Sequence, residues 1–322
     1  MAQDPDSLKS EVWRPESDDR NAAEWPTISL HNLSKHYGRL RAVRDLTLEV
    51  ERGEVFGFLG LNGAGKTTTI RVLLDLLRPT SGQARLFGFD CHRESGRTRA
   101  LVGYLPGELG LYPDMTGEET LELLADLSGT EVRPEYQREL LDRMQLSRSE
   151  LQRRLREYST GMKRKLGLVQ ALQADPPLLI LDEPTEGLDP LMQRELNALL
   201  LELRGKGRTV FMSSHVLSEV ERVCDRIGVI RAGELVLLAT VEEARRLGGR
   251  SVRVFFSAPV AAIDPPASAT LVESTDTFWH LRVEGETGEL VRRLEGLPVR
   301  DVEVVEPALE DVLQRFYREE PS

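Results

Sequence analysis

The sequence predicts an α/β protein: a sheet packed with helices, a helical segment set into it, and a smaller α+β domain after it. Three observations carry that expectation. From Ile28 onward, short apolar runs alternate with amphipathic stretches, the pattern of a mostly parallel sheet with helices on its faces. Between about residues 106 and 174 the strand signals fade and helical ones take over, as in GEETLELLADL and YQRELLDRMQL. After Leu247-Gly-Gly249 the pattern becomes two-residue alternation, first Val252, Val254 and Phe256, then Trp279, Leu281 and Val283.

Taken in order, residues 1–26 hold seven acidic and three basic side chains with prolines at 5, 15 and 26, and read as a flexible tail. Val55–Leu59 reads as a buried strand, followed by a glycine turn and a helix. On that helix Ile70, Leu73, Leu74 and Leu77 share a face, and Pro79 ends it. Buried strands return at Leu178–Leu181 and Thr209–Met212, and Ile227–Ala239 reads as a hairpin at the sheet edge, turning at Ala232-Gly233. Leu309, Val312, Leu313, Phe316 and Tyr317 form a helical stripe that closes the second domain. The expected division is therefore a tail at 1–26, an α/β domain at 27–249 with its helical subdomain at about 106–174, and an accessory α+β domain at 250–322.

With 322 residues, 40% hydrophobic and 30% charged, the chain has the composition of a soluble globular protein with one large core or two smaller ones. Collagen-like, mostly disordered and disulfide-framework classes are excluded. A net charge of −11 argues against a protein that coats nucleic acid or adheres to anionic lipid through a basic surface. No apolar run approaches the roughly 18–20 residues of a spanning helix, and MAQDPDSLKS lacks the features of a signal peptide. The two cysteines, Cys91 and Cys224, read as core residues in a reducing compartment.

The strongest local signal is Gly60-Leu61-Asn62-Gly63-Ala64-Gly65-Lys66-Thr67-Thr68, which fits the phosphate-binding pattern GxxxxGK[ST] and lies between a strand and a helix. Its glycines let backbone N–H groups turn inward around phosphate oxygens, and the helix N-terminus adds partial positive charge. Lys66 is expected to reach the β- and γ-phosphates, and the Thr67 hydroxyl to bind Mg²⁺. A second element, Leu178-Leu-Ile-Leu-Asp182-Glu183-Pro184, delivers two carboxylates at the C-terminal edge of a strand, where parallel sheets bind ligands. Asp182 is suited to hold Mg²⁺ through water, and Glu183 to orient and polarise the water that attacks the γ-phosphate. His215, just past the strand VFMSS, can donate to the γ-phosphate or to the attacking water.

The ordered series GLNGAGKTT, then Tyr158-Ser159-Thr160-Gly161-Met162, then LLILDEPT, then Gly187-Leu188-Asp189, then His215 resembles the ATP-binding cassette (ABC) transporter ATPases over roughly residues 28–245. The resemblance implies a P-loop NTPase fold of the ABC type, ATP and Mg²⁺ as cofactors, and ATP hydrolysis as the reaction. It implies that Ser159 and Gly161 belong to a signature loop that binds the γ-phosphate of ATP held by the opposite subunit. In this sequence Tyr158-Ser-Thr-Gly opens a helix, so a hydroxyl and free N–H groups stand at a positive helix end. The resemblance further implies that Tyr37 stacks on adenine and that Asp189 lies in a D-loop communicating between two ATP sites. Three positions depart from the family pattern. Leu61 stands where proline is frequent, YSTGM replaces LSGGQ, and Gly107 occupies the place of a glutamine whose side chain meets the metal. Glycine has no such side chain, so Glu108 or other contacts would have to serve.

Only about 90 residues, without sustained heptads, separate Lys66 from Tyr158, unlike the repair and chromosome proteins of this class with their long coiled coils. One P-loop and one signature also separate the chain from tandem-cassette translation factors. The resemblance thus implies a transporter subunit with no nucleic-acid partner. It pairs with a second ATPase subunit, identical or related, around two ATP molecules. It drives a separate transmembrane permease, which places it in the cytoplasm on the inner face of the cell membrane. The wording YLPGELGLYPDMTG, YSTGMKRKLGL and VEPALEDVL is similar to ATPases of ABC-2 type exporters, including drug and antibiotic self-resistance pumps, and implies export of drug-like or lipidic compounds. The alternative is a non-transport regulator or scaffold of the same ATPase class.

Overall fold

The computed structural model describes residues 25–129, 131–260, 265–283 and 287–305, with 309, 312 and 316. Nearly all of the expected tail, Leu313, Tyr317 and most of VEPALEDVL lie outside the described residues. Contacts divide the chain into two units. One runs to His215 and resumes for Arg222–Val236; the other takes Val216–Glu221 and resumes at Leu237.

The first unit opens with β1 (Ile28–Tyr37), β2 (Leu40–Val50), β3 (Val55–Leu59), α1 (Lys66–Leu73), β4 (Ser81–Leu86), β5 (Phe89–Asp90), α2 (Ser95–Ala100) and β6 (Val102–Leu105). Four helices come next: α3 (Gly117–Ser128), α4 (Pro134–Arg143), α5 (Arg148–Leu151) and α6 (Thr160–Leu172). The chain then returns through β7 (Leu178–Asp182), α7 (Pro190–Gly205), β8 (Thr209–Ser214), α8 (Leu217–Val223), which belongs mostly to the second unit, β9 (Arg226–Arg231) and β10 (Glu234–Thr240), which passes into the second unit at Leu237.

Six of these strands form one sheet in the order β10-β9-β3-β8-β7-β6. The pairs β9·β3, β3·β8, β8·β7 and β7·β6 are all parallel. β3, β7 and β8 are buried along their whole length, which is why they read as continuous apolar runs rather than alternating ones. Phe211 of β8 meets Phe56 at 5.7 Å and Phe58 at 5.4 Å between ring centroids, so these strands are packed through their largest side chains. The β9–β10 turn puts Ala232 and Gly233 at φ 49° and 88°, the doubly left-handed geometry that suits a two-residue hairpin.

The single mostly parallel sheet expected from the pattern is incomplete as a description. β1, β2, β4 and β5 form a separate antiparallel sheet, ordered β2-β1-β4-β5. Register shifts interrupt β1 between Leu30 and Leu33, and Asn32 sits at φ 47°. Such bulges break the two-residue period by which a strand is recognised. α1 is also shorter than its apolar stripe suggests: it ends at Leu73, and Asp75 at φ 53° turns the chain before Leu77.

The second unit contains α9 (Val241–Arg246), β11 (Arg250–Phe256), β12 (Ala269–Thr275), β13 (Phe278–Val283), α10 (Gly288–Leu294) and β14 (Val299–Val305). Its sheet is antiparallel, ordered β12-β13-β11-β14. Val252, Val254, Phe256, Trp279, Leu281, Val283 and Leu290 form its core. By contacts the junction falls at Val236/Leu237, before the change of pattern at 247–249, and within this unit Arg245 pairs with Glu221 at 3.1 Å. Cys91 and Cys224 are buried free thiols, both pushed up in pKa chiefly by burial. Among the described residues no helix is long and apolar enough to cross a membrane.

Phe211→Ala removes the ring on which Phe56 and Phe58 pack. It is expected to cost about 3–5 kcal/mol, read as a lowered unfolding midpoint by denaturant titration of the first unit's signal.

Candidate functional site

The site is built where the parallel strands end. β3 stops at Leu59, opposite Ser214 of β8, and Ser213 stands opposite Asp182 of β7. The residues just beyond these strands therefore emerge together at one edge, beside a cleft of about 830 Å³.

Gly60–Thr68 wraps from β3 into α1. Gly65 is the N-cap of that helix at φ 116°, and a Cβ there would lie 2.5 Å from the Ala42 carbonyl oxygen. A Cβ on Gly60 would lie 2.5 Å from the Ile230 carbonyl oxygen. Both positions require glycine, one by conformation and both by space. Leu61, Asn62 and Gly63 are exposed, while Gly60, Ala64, Gly65 and Lys66 are buried. Lys66 donates from Nζ to the Gly60 carbonyl at 2.6 Å and pairs with Glu183 Oε1 at 3.3 Å.

Thr67 Oγ1 donates to Asp182 Oδ2 at 3.1 Å, and Ser213 Oγ donates to Asp182 Oδ1 at 2.5 Å. Asp182 is 2% exposed, so these hydroxyls take the place of water on a buried carboxylate. Glu183 holds φ at 52°, a left-handed conformation that costs a non-glycine residue roughly 1–3 kcal/mol. Its N–H donates to Ser213 Oγ at 3.1 Å, and its Oε2 lies 2.8 Å from His215 Nδ1. Tyr104 also lines the cleft; its hydroxyl is pushed up to about 12 by burial and by the Asp182 charge.

The structure thus brings together the P-loop, Asp182 and Glu183 at the cleft, with Tyr37 exposed at its wall and His215 held against Glu183 outside the lining. Thr160 lines the same cleft, whereas Ser159, Gly161 and Asp189 do not. Ser159 caps α6 by accepting from Met162 N at 3.2 Å. Asp189 caps α7 by accepting from Leu191 N and Met192 N, both at 3.0 Å, and these N–H groups hold its carboxyl below the usual range. Two residues at the site are not apparent in the sequence. Ser213 is visible there only as a polar residue closing an apolar strand. Arg164 is hidden in the basic run Lys163-Arg164-Lys165, yet it shares the buried side of α6 with Leu168 and Ala171.

An amide-lined turn with a buried ammonium can take a polyphosphate, and two carboxylates beyond it can serve a metal and a water. A family model described as "ABC transporter" matches residues 43–186. The bacitracin transport ATP-binding protein of Bacillus licheniformis is 40% identical, covering 65% of this chain and 68% of that protein. The chain belongs to the ATP-binding proteins of ABC transporters. The daunorubicin resistance ATP-binding protein of Streptomyces coeruleorubidus is 35% identical across 88% of this chain and 94% of its own length. An uncharacterised ABC transporter ATP-binding protein of Nostoc is 43% identical over 63% of this chain, which spans only 61% of that relative. A solved ATP-binding subunit of an ABC transporter shares 34% identity with a TM-score of 0.64, covering 68% of this chain and 92% of that one.

Because the Cβ at position 65 meets backbone, Gly65→Ala of this ABC ATP-binding protein is expected to abolish nucleotide binding while the second unit stays folded. Titration with a fluorescent ATP analogue checks this, and binding at wild-type affinity would refute the account of the cradle.

Proposed function

We propose that this chain is the ATP-hydrolysing motor of an exporter, working as one of two ATPase subunits on a separate membrane permease, with a drug-like or lipidic compound as cargo. The observation that carries the reading is the set of contacts Lys66–Glu183, Thr67–Asp182 and Glu183–His215 at one sheet edge. The names of the bacitracin and daunorubicin relatives support the cargo class.

In this reading the amides of residues 60–68 cradle the phosphates, and Tyr37 stacks on adenine. The phosphates compete with Glu183 for Lys66 and draw Nζ onto the β- and γ-oxygens. Glu183, released from the ammonium, orients and polarises the attacking water, while His215 holds its other oxygen and reaches toward the γ-phosphate. Thr67 and Asp182 would hold Mg²⁺. The fit is good: a hydroxyl and a carboxylate 3.1 Å apart are hard oxygen donors of the kind that take this ion together with phosphates and water. When bound, Mg²⁺ neutralises charge developing on the phosphates.

Ser159 and Gly161, which lie outside this chain's own cleft, serve the nucleotide of the second subunit, and Asp189 links the two sites. Two ATP molecules thereby join the two subunits, and hydrolysis lets them part. Tighter binding of ATP by the closed pair is what shifts the permease between access states. The chain works in the cytoplasm, docked through the permease on the inner face of the membrane. The α/β domain at 27–249 carries the ATPase, and the region 250–322 is accessory to it.

Lys66→Ala removes a charge-assisted contact worth about 1.5–3 kcal/mol, so ATP affinity should fall roughly 10- to 100-fold in equilibrium binding. Glu183→Gln should slow hydrolysis about 10²- to 10⁴-fold while ATP stays bound and a dimer accumulates on gel filtration. Hydrolysis by that variant at the wild-type rate would remove Glu183 from the role. Where a neighbouring gene encodes a protein with several spanning helices, co-expression with it followed by detergent extraction should recover both chains together; recovery of this chain only from the soluble fraction would count against the motor reading.

A further inference from the structure

The family's glutamine position is held here by Gly107, and the geometry around it is specific. A Cβ added to Gly107 would lie 3.3 Å from Asp182 Oδ2 and 3.6 Å from its Cγ. A side chain at 107 would therefore start against the Asp182 carboxylate, and this chain supplies none. What joins this loop to the backbone of Asp182 and Glu183 is a guanidinium. Arg164, 3% exposed, donates from Nη1 to the carbonyls of Pro106 at 2.7 Å and Gly107 at 3.1 Å. From Nη2 it donates to the carbonyls of Asp182 at 3.3 Å and of Glu183. Its remaining charge partner, Glu186, is 3.7 Å away.

The planar fork of arginine fits this arrangement and a lysine does not, because four carbonyls from two segments must be met by donors of fixed relative direction. Burying a guanidinium is costly, and burial lowers the pKa of this one. The fold meets that cost with four main-chain acceptors on the two Nη groups and with Glu186 at 3.7 Å, while Nε–H meets no partner among the described residues. Those acceptors come from the loop after β6 and from the turn at Asp182-Glu183, where Glu183 is held in its left-handed conformation. Arg164 itself stands one helical turn beyond Thr160, at the start of α6. One side chain thus ties together the signature helix, the loop at 106–107 and the backbone that aims Glu183.

We infer that Arg164 is a positioning residue for ATP hydrolysis in this chain: its guanidinium locks the Pro106-Gly107 loop to the backbone of Asp182 and Glu183, a link that no side chain at position 107 provides. The inference rests on the ATPase reading above. It does not require Arg164 to touch nucleotide.

The test uses the full chain and Arg164→Lys, which keeps the buried positive charge but loses the fork, with Arg164→Gln as a second variant. Deuterium uptake is measured without nucleotide, and steady-state hydrolysis with Mg-ATP. For Arg164→Lys, uptake should rise in the segments 105–110 and 183–188 and remain at the wild-type level in the second unit. Its kcat should fall roughly 10- to 100-fold, the scale of losses from small misplacement of reacting groups, while KM and the thermal midpoint stay close to wild type. Unchanged uptake in both segments, or a wild-type kcat in Arg164→Lys, overturns the inference. So does a fall in kcat that merely tracks a lower melting temperature in both variants. If the wild-type chain itself fails to hydrolyse Mg-ATP, the ATPase reading falls, and the uptake measurement still decides whether Arg164 locks the two segments.

Discussion

The site depends on the parallel register of β3, β8 and β7, in which Leu59 faces Ser214 and Ser213 faces Asp182. Because these strands run the same way, the loops leaving their C-terminal ends all emerge at the same edge of the sheet. A slip of one residue would turn Asp182 to the other face and break its bond to Ser213. The rings of Phe56, Phe58 and Phe211, all fully buried, oppose such a slip by packing across the strands. The apolar core and the polar site are therefore two consequences of one alignment.

At that edge the fold gathers charges that would be costly alone. Lys66, Asp182 and Arg164 are each 5% exposed or less, and an unpaired charge so placed would be strongly destabilising. Each charge is matched instead: Lys66 by a carbonyl and Glu183, Asp182 by two hydroxyls, and Arg164 by four carbonyls and Glu186, with only its Nε–H unpartnered among the described residues. The pairing of Lys66 with Glu183 is of a kind that a phosphate can replace, since it offers Lys66 the same negative oxygen at a similar distance. This also reconciles a chain of net charge −11 with a polyanionic ligand, because the amides and ammonium of the cradle act at contact range whereas the remaining charges are screened.

Much of this is legible in order of sequence. Gly60 to Thr68 is contiguous, and both the turn and its chemistry are local requirements, so the pattern carries them. Asp182, Glu183 and His215 are legible because each comes after an apolar run at a strand end. Ser213 is not, since its value lies in facing a residue about thirty positions away across two strands. Arg164 is not, since a basic residue between two lysines reads as solvated until the buried face of α6 is known. The antiparallel sheet of β1, β2, β4 and β5 is masked by bulges, and the early end of α1 by an apolar stripe that continues past the last helical residue.

The sequence by itself determined the α/β class, the phosphate-binding turn and the kinds of groups available to nucleotide and metal, because these rest on periodicity and on short contiguous motifs. Only the tertiary structure decided which groups meet. It joined Lys66 to Glu183, set Thr67 against Asp182, aimed Glu183 through a left-handed backbone, and drew Arg164 from a basic run into the space beside Gly107. Those outcomes depend on register between distant strands and on which side of a helix is buried, and neither is written in any one segment of the chain.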